Sequence, residues 1–247
     1  MSRVALVTGG ASGIGLATAQ HLARAGNRVA VTDLSQERCD EAAAAIRAEG
    51  HEAVGVAIDV ADRAAVDAGF ERVRAELGPV EILVTSAGIE SFDPVATITP
   101  EVWDRVVAVN LTGTFSCIQA AIGDMTAAGW GRIVTISSSS ALSGAPRMAH
   151  YTAAKGGVIS LTRSMAVELA RSGITVNSVA PTVVDTPMAQ QATEKGDFPG
   201  VDVVAKMIPM GRPGTPDDIA AACAYLCSEE AGYTTGQILA VSGGMYI

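Results

Sequence analysis

The chain has 247 residues, 49% of them apolar but only 4% aromatic, and a net charge of −9. That length suits one large α/β domain with a sizeable core, and an aliphatic, aromatic-poor composition suits a parallel sheet covered by helices. The negative charge and the lack of any basic run argue against a nucleic-acid partner, which would need cations along its phosphates.

Val4 to Thr8 is a short apolar run rich in β-formers, followed by Gly9-Gly10-Ala11-Ser12-Gly13-Ile14-Gly15 and then a helical pattern through Leu16, Ala19, Leu22 and Ala23. Strand, glycine turn, helix is the context in which a dinucleotide pyrophosphate is bound. Glycines let the backbone turn sharply and approach the phosphates, whose charge is favoured at the positive end of the helix. The next strand, Arg28 to Thr32, ends at Asp33, eighteen residues after Gly15, where a ribose-binding carboxylate belongs.

Further strand-like runs begin near Ala53, Ile82, Arg132, Thr175 and Gln237, and helical patterns cover about 13–25, 36–49, 63–77, 99–127, 149–171 and 216–227. The alternation predicts a doubly wound parallel sheet with helices on both faces, one domain spanning 1–247. Apolar runs are broken by charge or glycine and the first strand begins within four residues of Met1, so no membrane span or signal peptide is expected and a soluble, cytoplasmic protein is. Cys39, Cys117, Cys223 and Cys227 fall in helical patterns without C-x-x-C spacing or a histidine cluster, which favours small core residues over a metal site.

One stretch breaks the rhythm. Residues 187–213 carry prolines at both ends and a centre, Lys195 to Gly200, that belongs to no regular element. It follows the carboxyl end of the sixth strand, where open α/β sheets bind ligands, so a mobile substrate lid is expected, with Met188, Phe198, Val201, Val204 and Met207 as its apolar surface.

Tyr151 and Lys155 stand four residues apart in a helical pattern and so share a face. A free tyrosine has a pKa of about 10, too high for a base near neutrality. The ammonium of Lys155 is expected to lower it, and Y-x-x-x-K with a serine-rich strand end upstream at Ser137 to Ser140 points to proton transfer. His150 is read as a pocket-wall or solvent-facing residue, since successive helix positions point apart.

With these features in place the whole chain resembles the short-chain dehydrogenase/reductase family, and in length and layout its 3-oxoacyl-ACP-reductase-like members. Thr8 to Gly15 has the family's T-G-x-x-x-G-x-G form, Asp59-Val60 closes the third strand, Asn110 lies in Val106 to Leu111, Ser138 stands thirteen residues before Tyr151, and Pro181 ends the sixth strand. The resemblance implies a Rossmann-type sheet of seven strands in the order 3-2-1-4-5-6-7, assembly as a homotetramer through the fourth and fifth helices, and 187–213 as the substrate loop. It implies catalysis by Tyr151 as general acid/base, Ser138 holding the reacting oxygen, Lys155 on the nicotinamide ribose and Asn110 anchoring a relay water. Implied cofactor contacts are Gly9, Ser12, Gly13, Ile14, Gly15, Asp33, Leu34, Asp59, Val60, Ala87, Gly88, Ile89, Tyr151, Lys155, Pro181 and Thr186.

Three motifs depart from the family pattern: Thr85-Ser86 stands for two asparagines, Thr182 for a glycine after Pro181, and Ser242 for an aspartate before Gly243-Gly244. Hydrogen bonding at the sheet centre and the turn after Pro181 are expected to differ accordingly. Asp33, together with Ser12 where NADPH-dependent relatives carry a cation, favours NAD(H). The expected function is NAD(H)-dependent interconversion of a secondary alcohol and a ketone; the alternatives are a 3-oxoacyl-thioester reductase and a non-catalytic nucleotide-binding scaffold.

Overall fold

The apolar runs become the strands of one sheet in a computed structural model that describes residues 2–246. In chain order the elements are β1 (Val4–Thr8), α1 (Gly13–Arg24), β2 (Arg28–Asp33), α2 (Gln36–Ala48), β3 (Ala53–Ala57), α3 (Arg63–Leu77), β4 (Val80–Thr85), α4 (Pro100–Val107), α5 (Gly113–Ala128), β5 (Gly131–Ile136), α6 (Ser140–Ser143), α7 (Ala149–Leu169), β6 (Ile174–Pro181), α8 (Pro187–Glu194), α9 (Val201–Ala205), α10 (Pro216–Leu226) and β7 (Ile238–Val241). All strand pairs are parallel, in the order β3-β2-β1-β4-β5-β6-β7.

The sheet separates two apolar layers. On one face Phe70 of α3 and Ile118 and Met125 of α5 pack with Leu6, Leu83 and Ile133, while on the other Leu22 of α1, Ile46 of α2 and Ile219 of α10 pack with Val7, Val31 and Val84. All five β1 residues are buried, which is why that segment reads as an unbroken apolar run instead of alternating. Cys39, Cys117, Cys223 and Cys227 are buried free thiols within these layers, and among the described residues no three His, Cys, Asp or Glu side chains cluster as a metal site would require.

Local chemistry fixes the helix starts. The Asp62 carboxylate accepts from Ala64 N at 2.9 Å ahead of α3, and Thr215 with Asp218 forms a reciprocal capping box ahead of α10. The helix read at 99–127 is one continuous stretch divided by a π-turn at Ala108–Thr112. By length and apolarity alone Pro100–Ala128 is the one described stretch able to cross a membrane; here half of its apolar window is buried in the fold.

Between β1 and β4 the strand order reverses, and successive crossovers leave on opposite faces of the sheet. The carboxyl ends of the strands therefore part into a crevice at this point, which is where open α/β sheets hold ligands.

Candidate active site

The crevice is a single cleft of about 1110 Å³. Its nucleotide end is built by the first turn. Gly9 has φ +63°, and a Cβ there would lie 2.8 Å from the Ala87 Cα; a Cβ on Gly15 would lie 2.1 Å from the Gly9 carbonyl oxygen. Only glycine allows the turn to close this tightly against α1. Ser12, the N-cap of α1, makes no side-chain cap, and no acid stands in the first turn, so the leading amides are left for an anion. Gly13 and Ile14 line the cleft beside them. These are features a pyrophosphate requires, and the residues fit a dinucleotide.

At the end of β2, one Asp33 oxygen accepts from Leu34 N at 2.8 Å, and the residue stays partly exposed to the cleft beside Leu34 and Arg38. Asp59 turns its carboxylate to Ala61 N at 2.9 Å, just past β3, with Val60 next to it. Ala87, Gly88, Ile89 and Pro181 line the middle of the cleft. Thr186 does two things at once: it lines the cleft, and its hydroxyl accepts from Ala189 N at 3.3 Å as the N-cap of α8.

The chemical end brings together residues from three elements. Ser138 follows β5 and accepts the Ser140 hydroxyl at 2.9 Å. Tyr151 and Lys155 sit on the first turns of α7, with Lys155 Nζ 5.7 Å from the tyrosine ring centre and donating to Ile136 O at 2.9 Å. Behind them, Asn110 lies in the π-turn, fully buried. Its Nδ2 donates to Ile89 O at 2.9 Å and Val106 O at 3.0 Å, which leaves Oδ1 buried without a partner. A Cβ on Gly88 would meet both that Oδ1, at 2.8 Å, and Lys155 Nζ, at 3.5 Å. The carbonyl oxygen and the ammonium thus face one small space, and a buried polar atom of this kind is ordinarily satisfied by water. π-turns occur most often where such a side chain must be aimed.

Among the protein's own groups the phenol is not depressed as the i, i+4 spacing suggests. Burial, and then the negative charge of Glu90, push Tyr151 up to about 12, with Ser138 opposing them. Lys155 is itself brought down to about 8 because burial disfavours its ammonium. Desolvation therefore dominates at both groups.

The other end of the cleft is assembled from loops. Glu90 to Asp93 follow β4, Ala145 to Met148 precede α7, Lys195 to Phe198 lie between α8 and α9, and Met245 and Tyr246 arrive from beyond β7. Of the expected lid surface, Met188 and Phe198 line the cleft, whereas Val201 does not, Val204 is buried and Met207 is solvent-exposed. Arg147, the one described non-glycine residue with positive φ, at +64°, donates to Phe92 O at 2.6 Å and to Asp197 at 2.9 Å, tying two of these loops together. His150 is neither a pocket wall nor solvent-facing: it is fully buried behind Tyr151, with Nε2 3.5 Å from Asp93. Met245 and Tyr246 carry no sequence signal, since only the path of β7 brings them here.

The departures from pattern have visible results. Thr85 Oγ1 is buried without a partner, and Ala87 N is held instead by Thr8 Oγ1 at 3.1 Å. Thr182 adopts no positive φ, and its hydroxyl turns to Met245 at 3.3 Å.

Residues 9–246 match the family model described as enoyl-(acyl carrier protein) reductase. The chain is 44% identical over 246 residues to cis-4-hydroxycyclohexanecarboxylate dehydrogenase of Sinomonas cyclohexanicum, covering 98% of this chain and 96% of that one. It is 40% identical over 243 residues to a subunit of (2S)-[(R)-hydroxy(phenyl)methyl]succinyl-CoA dehydrogenase of Thauera aromatica, with the same coverage of 98% and 96%. Among solved structures, an actinorhodin polyketide ketoreductase with NADPH superposes with a TM-score of 0.95 at 37% identity, covering 99% of this chain and 97% of that one. The chain belongs to the short-chain dehydrogenase/reductase family, and is an oxidoreductase of that family.

Proposed function

We propose that this member of the family interconverts a secondary alcohol and a ketone with NAD(H), using Tyr151 as the proton-transferring group. The observation that carries the reading is the convergence of Ser138, Tyr151 and Lys155 where the nucleotide end of the cleft meets its loop-built end. A bound nicotinamide would supply or accept the hydride. Tyr151 takes the hydroxyl proton as an alcohol is oxidised and returns it to the oxygen as a ketone is reduced. Ser138 holds that oxygen by a hydrogen bond. Lys155 stands where it can bond a ribose, and its ammonium, with the Asn110 carbonyl oxygen behind it, supports a water path for the proton.

The preference for NAD(H) rests on Asp33. Its carboxylate ends β2 in the cleft, can accept from ribose hydroxyls, and would meet a 2′-phosphate as a like charge. Arg38 lines the same end but is solvent-exposed and forms no ion pair with Asp33. A homotetramer is part of the proposal too: Trp103 on α4, Phe115 on α5 and Val167 on α7 are exposed apolar side chains on the helices that such an assembly would cover.

A second reading, reduction of a 3-oxoacyl thioester, is favoured by the relative that acts on a succinyl-CoA derivative. The deciding experiment is a panel of secondary alcohols, ketones and acetoacetyl-CoA assayed with NAD(H) and NADP(H) in both directions. Turnover of alcohols and ketones with NAD(H) is expected, and a preference for the thioester with NADPH would replace this reading by the second.

A further inference from the structure

Most polar side chains at the loop-built end of the cleft are already engaged. Arg147 is held by Phe92 O and Asp197. Asp93 accepts from the Ser91 hydroxyl and lies against buried His150. Glu90 is different. It is partly buried, it lines the cleft one residue beyond Ile89, and among the described residues its carboxyl has no hydrogen-bond or ion-pair partner. A partly buried carboxyl with no protein donor is left free to accept a hydrogen bond from a ligand in the cleft.

Its neighbours define what that ligand group can be. Tyr151 lines the same cleft from α7, and the Glu90 charge opposes ionisation of its phenol. From the lid, Lys195 favours the ionised carboxyl, and Asp197, itself paired with Arg147, opposes it. Burial dominates and raises the Glu90 carboxyl to about 7. The lining also holds apolar side chains, Ala145, Met148, Met188 and Phe198. A group placed against the ionised Glu90 carboxylate must therefore be a hydrogen-bond donor, and it shares the cleft with the Tyr151 phenol.

We propose that Glu90 is a specificity-determining residue that accepts a hydrogen bond from a second hydroxyl of the substrate, adjacent to the reacting carbinol. The preferred substrates are then diols, polyols or the matching hydroxyketones. Simple alcohols and 3-oxoacyl thioesters, which have no hydroxyl at that place, are disfavoured. The inference rests on the alcohol-ketone reading above and narrows it.

The test is kcat/KM for matched pairs with saturating cofactor: 2,3-butanediol against 2-butanol, 1,2-cyclohexanediol against cyclohexanol, and acetoin against 2-butanone in reverse. Wild type should favour the hydroxylated member by roughly 10- to 100-fold, the worth of one hydrogen bond to a charged group. Glu90→Ala should collapse that ratio, and Glu90→Gln, isosteric and uncharged, should reduce it, with NADH binding checking the fold of both. Glu90→Gln should also move the rise of 2-butanol oxidation with pH to lower pH, because the charge opposing the phenolate is gone. A wild type that turns over 2-butanol as well as 2,3-butanediol, or a preference that survives Glu90→Ala, overturns the inference and leaves the alcohol-ketone reading standing. A ratio lost with the pH profile unmoved assigns the effect to pocket shape and overturns the hydrogen bond. Folded, nucleotide-binding protein that turns over no alcohol or ketone overturns both.

Discussion

The two ends of the cleft are built on different principles. At the nucleotide end the backbone does the work: β1, the turn through Gly9 and Gly15 and the start of α1 lie within a dozen residues of one another, and contacts as close as 2.1 Å for an added Cβ leave little choice of residue. At the other end, side chains from four loops distant in sequence meet, and the ties between them are few, such as the Arg147 to Asp197 pair at 2.9 Å. A site made of backbone is rigid and tolerates little sequence change. A site made of loop side chains is easily altered, which is how one fold serves many substrates.

The largest effect should come where the two ends join. Tyr151→Phe is expected to lower turnover by about 10²- to 10⁴-fold while NADH affinity stays near wild type, because the phenol oxygen serves the chemistry and the ring still packs; steady-state rates and NADH fluorescence titration together check this. Near-normal turnover would move the proton-transferring role to another group. Ketone reduction should hold steady through neutral pH and fall only in alkali, since the phenol must carry its proton and burial favours that form. A pH-rate profile measured with chemistry rate-limiting would show it.

Next in size is cofactor choice, which probes the nucleotide end alone. The wild type should favour NAD over NADP by about 10- to 100-fold in kcat/KM, and Asp33→Ala combined with Ser12→Arg should move the preference toward NADP. Equal or better use of NADP by the wild type would point to Arg38 as the residue that reads this end.

The lid isolates the other end. Deleting Glu194 to Gly200 removes Asp197 and Phe198 but leaves Thr186, Pro187 and the start of α8 in place, so KM should rise and substrate preference change with NADH affinity nearly intact. Weakened nucleotide binding would show that the two ends are mechanically one. The smallest effect is expected from Thr215→Ala, which removes the capping box of α10 on the far side of α1; a loss of about 1 kcal/mol in denaturant unfolding is expected, with kcat unchanged.

Much of this molecule is legible in its sequence, and unevenly so. The seven strand starts and six long helices lie within about two residues of where the apolar and helical patterns put them, because fully buried parallel strands read as apolar runs. The nucleotide residues were legible for a related reason: a glycine turn and a carboxylate at a strand end are local features with local causes. The separation of Ser138 from Tyr151 was read through a family pattern, and the structure brings both to the cleft together with Lys155.

What only the tertiary structure decided depends on distance through space or on burial. The spacing of Tyr151 and Lys155 places them on one face, but whether the lysine lowers the phenol depends on desolvation, which no spacing reports; here burial and Glu90 prevail. His150 looks like a surface or pocket residue in sequence and is fully buried in the first turn of α7. The π-turn at Asn110, the meeting of Glu90, Arg147, Asp197 and Tyr246 in one cleft, and the assignment of Met188 and Phe198 but not Met207 to it all follow from how distant segments pack. Periodicity and motifs encode contacts between near neighbours in the chain, and the substrate end has almost none of those.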